Sequence, residues 1–126
     1  MRRIHLVTVI GIASIAAITW AVAPDSPVAN AAMVRDVETV RSLIAAGADV
    51  DAAQGDGLTA LHWAAKNGDV ETTAVLIAAG ADLAAITRID SHTPLHIASS
   101  AGNGAVVATL LAAGSDPNAM TTTGVT

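Results

Sequence analysis

The sequence contains no cysteine, phenylalanine or tyrosine, and aromatic residues make up only 2% of its 126 residues. The lack of cysteine excludes a disulfide framework and any chemistry that depends on a thiolate. The shortage of aromatic side chains means that the core must be built from Ala, Leu, Ile and Val. These small side chains suit closely packed helices, and alanine has the strongest helix propensity. We therefore predict one small helical domain.

Basic residues are also scarce. Six Lys and Arg residues stand against eleven Asp and Glu residues, which gives a formal net charge of −5 at pH 7. Nucleic-acid binding depends on clustered Lys and Arg side chains that neutralise phosphates. Because the sequence contains no such basic patch, we predict no nucleic-acid partner.

The N-terminal segment differs in character from the rest of the chain. Two arginines follow Met1, and a nearly unbroken apolar run then extends from Ile4 to Ala23. This pattern is typical of a secretory signal peptide, so we expect cleavage near Ala21 or Ala23 and export to the periplasm or the medium. The alternative is a membrane anchor formed by residues 4–23, because the run is also long enough to cross a bilayer as a helix. A cytosolic protein would require that residues 1–23 serve neither purpose.

The remainder of the sequence is periodic. Residues 59–62 read Thr-Ala-Leu-His and residues 93–96 read Thr-Pro-Leu-His, an offset of 34 residues. Further along, Leu76–Gly80 matches Leu110–Gly114 at the same offset, and Leu43–Gly47 stands 33 residues before Leu76–Gly80. The period is therefore 33 residues, with one extra residue in front of Thr93. Periods of this length indicate a repeat architecture.

Each period predicts two short helices joined by a turn. Thr59 and Thr93, with Ser26 one period earlier, stand at the N-cap of a first helix, and proline takes the first helical position at Pro27 and Pro94. The second helices are predicted over Val37–Ala46, Val70–Ala79 and Ala105–Ala113, each closed by a glycine. Helices this short are not stable alone in water. We therefore expect their leucines to be buried between stacked repeats.

The period and the Thr-Pro-Leu-His-Ile-Ala stretch at residues 93–98 resemble the ankyrin repeat. The resemblance implies an all-α ankyrin-repeat solenoid of stacked helix–turn–helix units with short hairpin loops. It places the repeats at residues 24–126: 24–54, 55–87, 88–120, and 121–126 as the start of a truncated fourth. We thus expect a bacterial-type member of the family and a fragment of a longer array. Ser91 stands where the family usually has glycine, so we expect that hairpin tip to depart from the usual shape.

Residues that could carry chemistry recur at repeat positions. His62 and His96 share one position, and neither cysteine nor a nearby glutamate is available to complete a metal or acid–base site. The resemblance implies that these histidines hold the hairpins by hydrogen bonds. Asp49, Asp82 and Asp116 each follow a helix-ending glycine by two residues, which favours a turn role. We therefore predict no metal site, no cofactor, no small-molecule substrate and no catalytic activity.

The resemblance implies a protein–protein interaction module, exported or tethered to a membrane by its N-terminal segment. Family members contact partners through the hairpin tips and the exposed end of the first helix, and we expect Trp63 to pack in the core instead. In this sequence the contact positions are Asp56, Leu58, Lys66 and Asn67 in the second repeat, and Ile89, Asp90, His92, Ser100 and Ala101 in the third. The alternative function is the targeting part of a larger enzyme whose catalytic domain lies beyond residue 126.

Overall fold

The computed structural model describes residues 26–120. The predicted signal or anchor segment and the start of a fourth repeat, residues 121–126, lie outside the described residues. Six helices and no strand are found between residues 26 and 120: α1 (Pro27–Met33), α2 (Val37–Ala45), α3 (Ala60–Asn67), α4 (Val70–Ala78), α5 (Pro94–Ser100) and α6 (Gly104–Ala112). None of these helices is long and apolar enough to cross a membrane.

The first helices of the second and third repeats begin as the sequence predicts. Thr59 caps α3 by accepting a hydrogen bond from the backbone N–H of His62, whose ring Nδ1 accepts from the backbone N–H of Thr59 at 3.0 Å. Thr93 and His96 form the same reciprocal pair at the start of α5. Each pair satisfies donors that a helix N-terminus otherwise leaves free, which confirms the predicted N-caps.

Ser26 behaves differently from the two threonines. It precedes α1, and Pro27 takes the first helical position as predicted, but the Ser26 side chain makes no capping hydrogen bond. Its hydroxyl is buried without a hydrogen-bond partner among the described residues. Residue 29, where a reciprocating histidine would stand, is an alanine. Ser26 therefore stands at the N-cap as predicted, but its side chain does not contribute to the cap.

The second helices begin at acidic or amide residues. Asp36 caps α2, and hydrogen bonds from the Thr39 hydroxyl and the Thr39 backbone N–H lower the pKa of the Asp36 carboxyl. Asp69 caps α4 by accepting hydrogen bonds from the backbone N–H and the hydroxyl of Thr72. The three second helices end one residue earlier than predicted, and α6 begins one residue earlier, at Gly104. These differences are within the usual fraying of helix ends.

The helices stack in two layers, with α1, α3 and α5 in one and α2, α4 and α6 in the other. Leu61, Leu76 and Leu110 are buried between neighbouring repeats, and Leu43 is half-buried at the corresponding place in α2. Successive repeats therefore line up along one axis, as the periodicity predicts. This stacking hides leucines that no single pair of helices could cover.

Two asparagine side chains join neighbouring repeats. The Asn67 amide donates to the carbonyls of Ala32 and Met33 at the end of α1, both at 3.2 Å. The Asn103 amide donates to the carbonyl of Ala65 near the end of α3, at 2.7 Å. Because the last carbonyls of a helix have no partner within it, each asparagine closes the first helix of the preceding repeat.

Candidate functional site

The two buried histidines hold the loops that connect the repeats. The Nε2–H of His62 donates to the backbone carbonyl of His92 at 3.0 Å, and that of His96 donates to the carbonyl of Ala119 at 2.8 Å. The His62 Nδ1 must stay unprotonated to accept from Thr59, so the ring is neutral. Burial lowers the pKa of His62, although the His92 carbonyl acts in the opposite direction. These contacts give both histidines the structural role that the resemblance implies.

The recurring aspartates close turns. Asp49, Asp82 and Asp116 each accept a hydrogen bond from the backbone N–H two residues later, at 2.9, 2.9 and 2.8 Å respectively. These bonds agree with the turn role that the sequence predicts. Among the described residues no three His, Asp or Glu side chains cluster as metal ligands would.

The first hairpin loop (residues 50–59) and the second hairpin loop (residues 83–93) are each closed by a backbone hydrogen bond at the corresponding position. The backbone N–H of Gln54 donates to the carbonyl of Leu58 in the first loop, and that of Thr87 donates to the carbonyl of His92 in the second, both at 3.0 Å. One more residue lies between the paired residues of the second loop, so the extra residue in the sequence lengthens its tip.

The tips of the two loops are bonded to each other through Arg88. Its backbone N–H donates to the carbonyl of Asp56 at 3.0 Å, and its guanidinium donates to the carbonyl of Gly55 at 2.8 Å. Gly57 permits this approach, because a Cβ atom built on it would lie 2.8 Å from the Arg88 backbone nitrogen. The two loop tips are therefore joined, and we refer to them together as the rim.

The second tip turns without glycine. Asp90 and Ser91 have φ angles of 67° and 53°, in the left-handed region that non-glycine residues seldom adopt. Ser91 is the position where the sequence departs from the family pattern. The result is a longer tip on which Ile89 is 74% exposed.

An open groove of about 520 Å³ lies between this rim and helices α3 and α5. Eight of the nine predicted contact residues line it: Asp56, Leu58, Lys66, Ile89, Asp90, His92, Ser100 and Ala101. Residues more than 40 positions apart in the chain thus meet on one concave surface. Whether they contact a partner stays a prediction.

Asn67 is the predicted residue that does not line the groove. It is half-buried, its side chain is bonded to the end of α1, and its backbone carbonyl accepts from the Arg35 guanidinium at 2.7 Å. These bonds hold it at the junction between the first and second repeats, away from the rim.

Two groove residues are missing from the prediction. Thr87 lines the wall and braces the second tip, because its hydroxyl donates to the carbonyl of Ile89 at 2.6 Å and accepts from the backbone N–H of His92 at 3.0 Å. Ile97 lies on α5 at the position that Trp63 occupies on α3. The repeat alignment could have identified Ile97, but nothing in the sequence distinguishes Thr87.

Trp63 packs against the core without being fully buried. It is half-buried beside the core residues, as predicted, and its indole N–H donates to the Gln54 side-chain oxygen at 2.8 Å. The Lys66 ammonium group lies 5.0 Å from the centre of the indole ring, within range of a cation–π interaction. Trp63 therefore contacts a side chain that lines the groove.

The stacked helix pairs and their loops define an all-α repeat solenoid. A family model described as ankyrin repeats (3 copies) matches residues 28–121. The chain therefore belongs to the ankyrin-repeat family, whose domains are protein–protein interaction modules and typically not catalysts. No curated protein matches the sequence.

Proposed function

We propose that this chain is an exported protein-binding module without catalytic activity of its own, and that it holds a segment of its partner in the groove. The observation that carries the proposal is the convergence of eight predicted contact residues on one concave surface. A cleft that combines apolar side chains with a few polar groups is the usual form of a recognition site.

Ile89 is the main candidate for an anchor. This residue is 74% exposed at the tip of the second loop, and it lines the groove together with Leu58 and Ile97. Most binding energy at a protein interface comes from a few residues that become fully desolvated. An aliphatic residue that is largely exposed in the free protein has the most apolar surface to bury on binding.

The groove is tested with a matched pair of substitutions. Ile89→Asp places a charge in the groove, and Ile86→Asp makes the same change at a 55% exposed isoleucine of the same loop that does not line the groove. Proteins are captured from the exported fraction of the source cells on the wild type and on both variants. We expect Ile89→Asp to weaken capture of a specific partner at least about tenfold, and Ile86→Asp to leave it unchanged. Equal capture by all three proteins would contradict the proposed site.

Export is supported by the two arginines and the apolar run that precede the repeats. Sequencing the N-terminus of the mature protein after cell fractionation tests it. A start near Ala21 or Ala23 in the exported fraction supports cleavage, and an intact N-terminus in the membrane fraction supports an anchor. An intact Met1 in the soluble cytosolic fraction would contradict both.

A further inference from the structure

The basic and acidic side chains of the described residues differ in number and in the contacts that they make. The sequence has six basic and eleven acidic residues, and Arg2, Arg3 and Asp25 lie outside the described residues, which leaves four basic and ten acidic. Each of the four basic side chains has a contact within the described residues, although only Arg41 is paired with a carboxylate. Arg35 donates to the Asn67 carbonyl, Arg41 pairs with Glu71, Arg88 donates to the Gly55 carbonyl, and Lys66 lies over Trp63.

The groove carboxylates lack cationic partners. Among residues 26–120 Arg41 is the cation of both ion pairs, so neither Asp56 nor Asp90 is paired with one. Asp56 uses one oxygen to accept from the backbone N–H of Leu58 at 3.1 Å. Both carboxylates line the groove, one on each loop tip. The rim therefore presents two anionic carboxylates whose oxygens can accept further hydrogen bonds.

The aliphatic side chains of the groove lie beside these carboxylates. Leu58 follows Asp56 by two residues in the first loop, and Ile89 directly precedes Asp90 in the second. An occupant that inserted an aliphatic side chain here would bring its neighbouring residues within reach of the rim. At the loop tips a carboxylate on such a neighbour would meet the like charge of Asp56 and Asp90, whereas an ammonium or guanidinium group would meet the opposite charge. Lys66, the cation that lines the groove, lies on α3 instead, with its ammonium group over Trp63.

We propose that the groove binds a protein segment in which an aliphatic side chain is adjacent to lysine or arginine. This inference rests on the proposed function and specifies the chemistry of the partner. The aliphatic group packs against Leu58, Ile89 and Ile97, and the cation pairs with Asp56 or Asp90. The acidic balance of the whole module adds a long-range attraction for such a segment and repels acidic segments.

The test uses the full chain and three synthetic peptides of equal length, in which Leu alternates with Lys, with Gln or with Glu. We expect the Leu-Lys peptide to bind most tightly and to lose affinity as salt is added. Asp56→Asn and Asp90→Asn should each weaken its binding by up to about fivefold, the range expected for exposed ion pairs. Both variants should keep their fold, since an amide at position 56 retains an oxygen that accepts from Leu58 and asparagine tolerates the left-handed conformation of residue 90.

Asp49→Asn is the matched control, because it removes the same charge from an exposed residue outside the groove. An equal loss of affinity in this control would show non-specific attraction and overturn the inference. Unchanged affinity in both groove variants, stronger binding of the Leu-Glu peptide, or no binding of the Leu-Lys peptide would overturn it as well.

Ile89→Asp separates the two proposals. If this substitution abolishes capture of the natural partner while Asp56→Asn and Asp90→Asn do not affect that capture, the site is correct and the inferred charge preference is wrong. If Ile89→Asp leaves capture unchanged, the proposed site itself fails.

Discussion

The stacked core and the groove are built from the same aliphatic residue types but differ in what those residues touch. Leu61, Leu76 and Leu110 are buried between repeats, with at most 1% of each side chain exposed. Ile89 lies at a loop tip and is 74% exposed, and Leu58 and Ile97 are half-buried along the groove. The core residues therefore have no exposed apolar surface left to bury against a partner, whereas the groove residues do.

This difference separates stability from binding. A residue that is fully buried in the free protein contributes to folding, and its removal leaves a cavity. A residue that is exposed in the free protein contributes little until a partner covers it. Each of the following substitutions tests whether the core and the groove are as independent as these contacts imply.

The largest effect should come from the core. Leu76→Ala should lower the free energy of unfolding by about 2–5 kcal/mol, because it opens a cavity between α4 and its neighbours. The measurement is urea denaturation followed by circular dichroism. Leu111→Ala is the matched control, because Leu111 is 42% exposed on α6, and it should cost no more than about 1.5 kcal/mol. Equal costs would mean that the repeats do not stack as described.

A smaller effect should come from the joint between the loop tips. Gly57→Ala places a Cβ atom 2.8 Å from the Arg88 backbone nitrogen, at a φ of 86°. Gly47→Ala has the same φ but meets no atom within 4 Å, so it measures the backbone strain alone. We expect Gly57→Ala to cost about 1–3 kcal/mol more than Gly47→Ala, the range typical of overpacking. Thermal denaturation of both variants checks this, and equal melting temperatures would show that the tips are not held together.

The histidine that links α3 to the second loop should make stability depend on pH. His62 titrates near pH 6.5 in the unfolded chain, and burial lowers its pKa in the folded state. As the pH falls below about 6.5, His62 binds a proton in the unfolded state but stays neutral in the folded state. The free energy of unfolding therefore decreases. This decrease ends below the pKa of the folded state.

The control for the pH effect is His62→Gln, which cannot titrate. Urea denaturation of the wild type and the variant is compared across this pH range. The variant should lose less stability than the wild type on acidification, whatever its stability at neutral pH. Parallel curves for the two proteins would show that His62 does not stay neutral in the fold.

The smallest effect should come from the groove. Lys66→Ala removes an exposed side chain whose described contact is with the face of Trp63. We expect the free energy of unfolding to change by no more than about 0.5 kcal/mol. A loss as large as that of Leu76→Ala would mean that the groove is part of the folding core and that the two regions are not independent.

The repeat register could be predicted because local chemistry recurs at fixed spacing. Thr59 and His62 satisfy each other within one helical turn, and Thr93 and His96 do the same one repeat later, so their sequence spacing already contains the contact. The burial of Leu76 and Leu110 follows from the same period. Eight groove residues could be placed because loop tips and helix ends stay in register once the repeats stack.

The exceptions have separate causes, of which one is a contact between repeats. The role of Asn67 is set by carbonyls of the preceding repeat, and Ser26 lacks the reciprocating histidine that makes Thr59 and Thr93 effective caps. Thr87 braces the longer second tip, where Asp90 and Ser91 adopt left-handed conformations without glycine. Propensity alone does not select such a conformation, because it is unfavourable locally.

By itself, the sequence determined the helical composition, the 33-residue period and the residues that begin and end most helices, since these depend on interactions within a few positions along the chain. Only the tertiary structure decided that Arg88 would bond to the first loop tip and that Asp56 and Ile89 would border one groove. The physical reason is distance along the chain. Stacking the leucines brings residues a full repeat apart into hydrogen-bonding range, and no local pattern encodes the angle at which their side chains then meet.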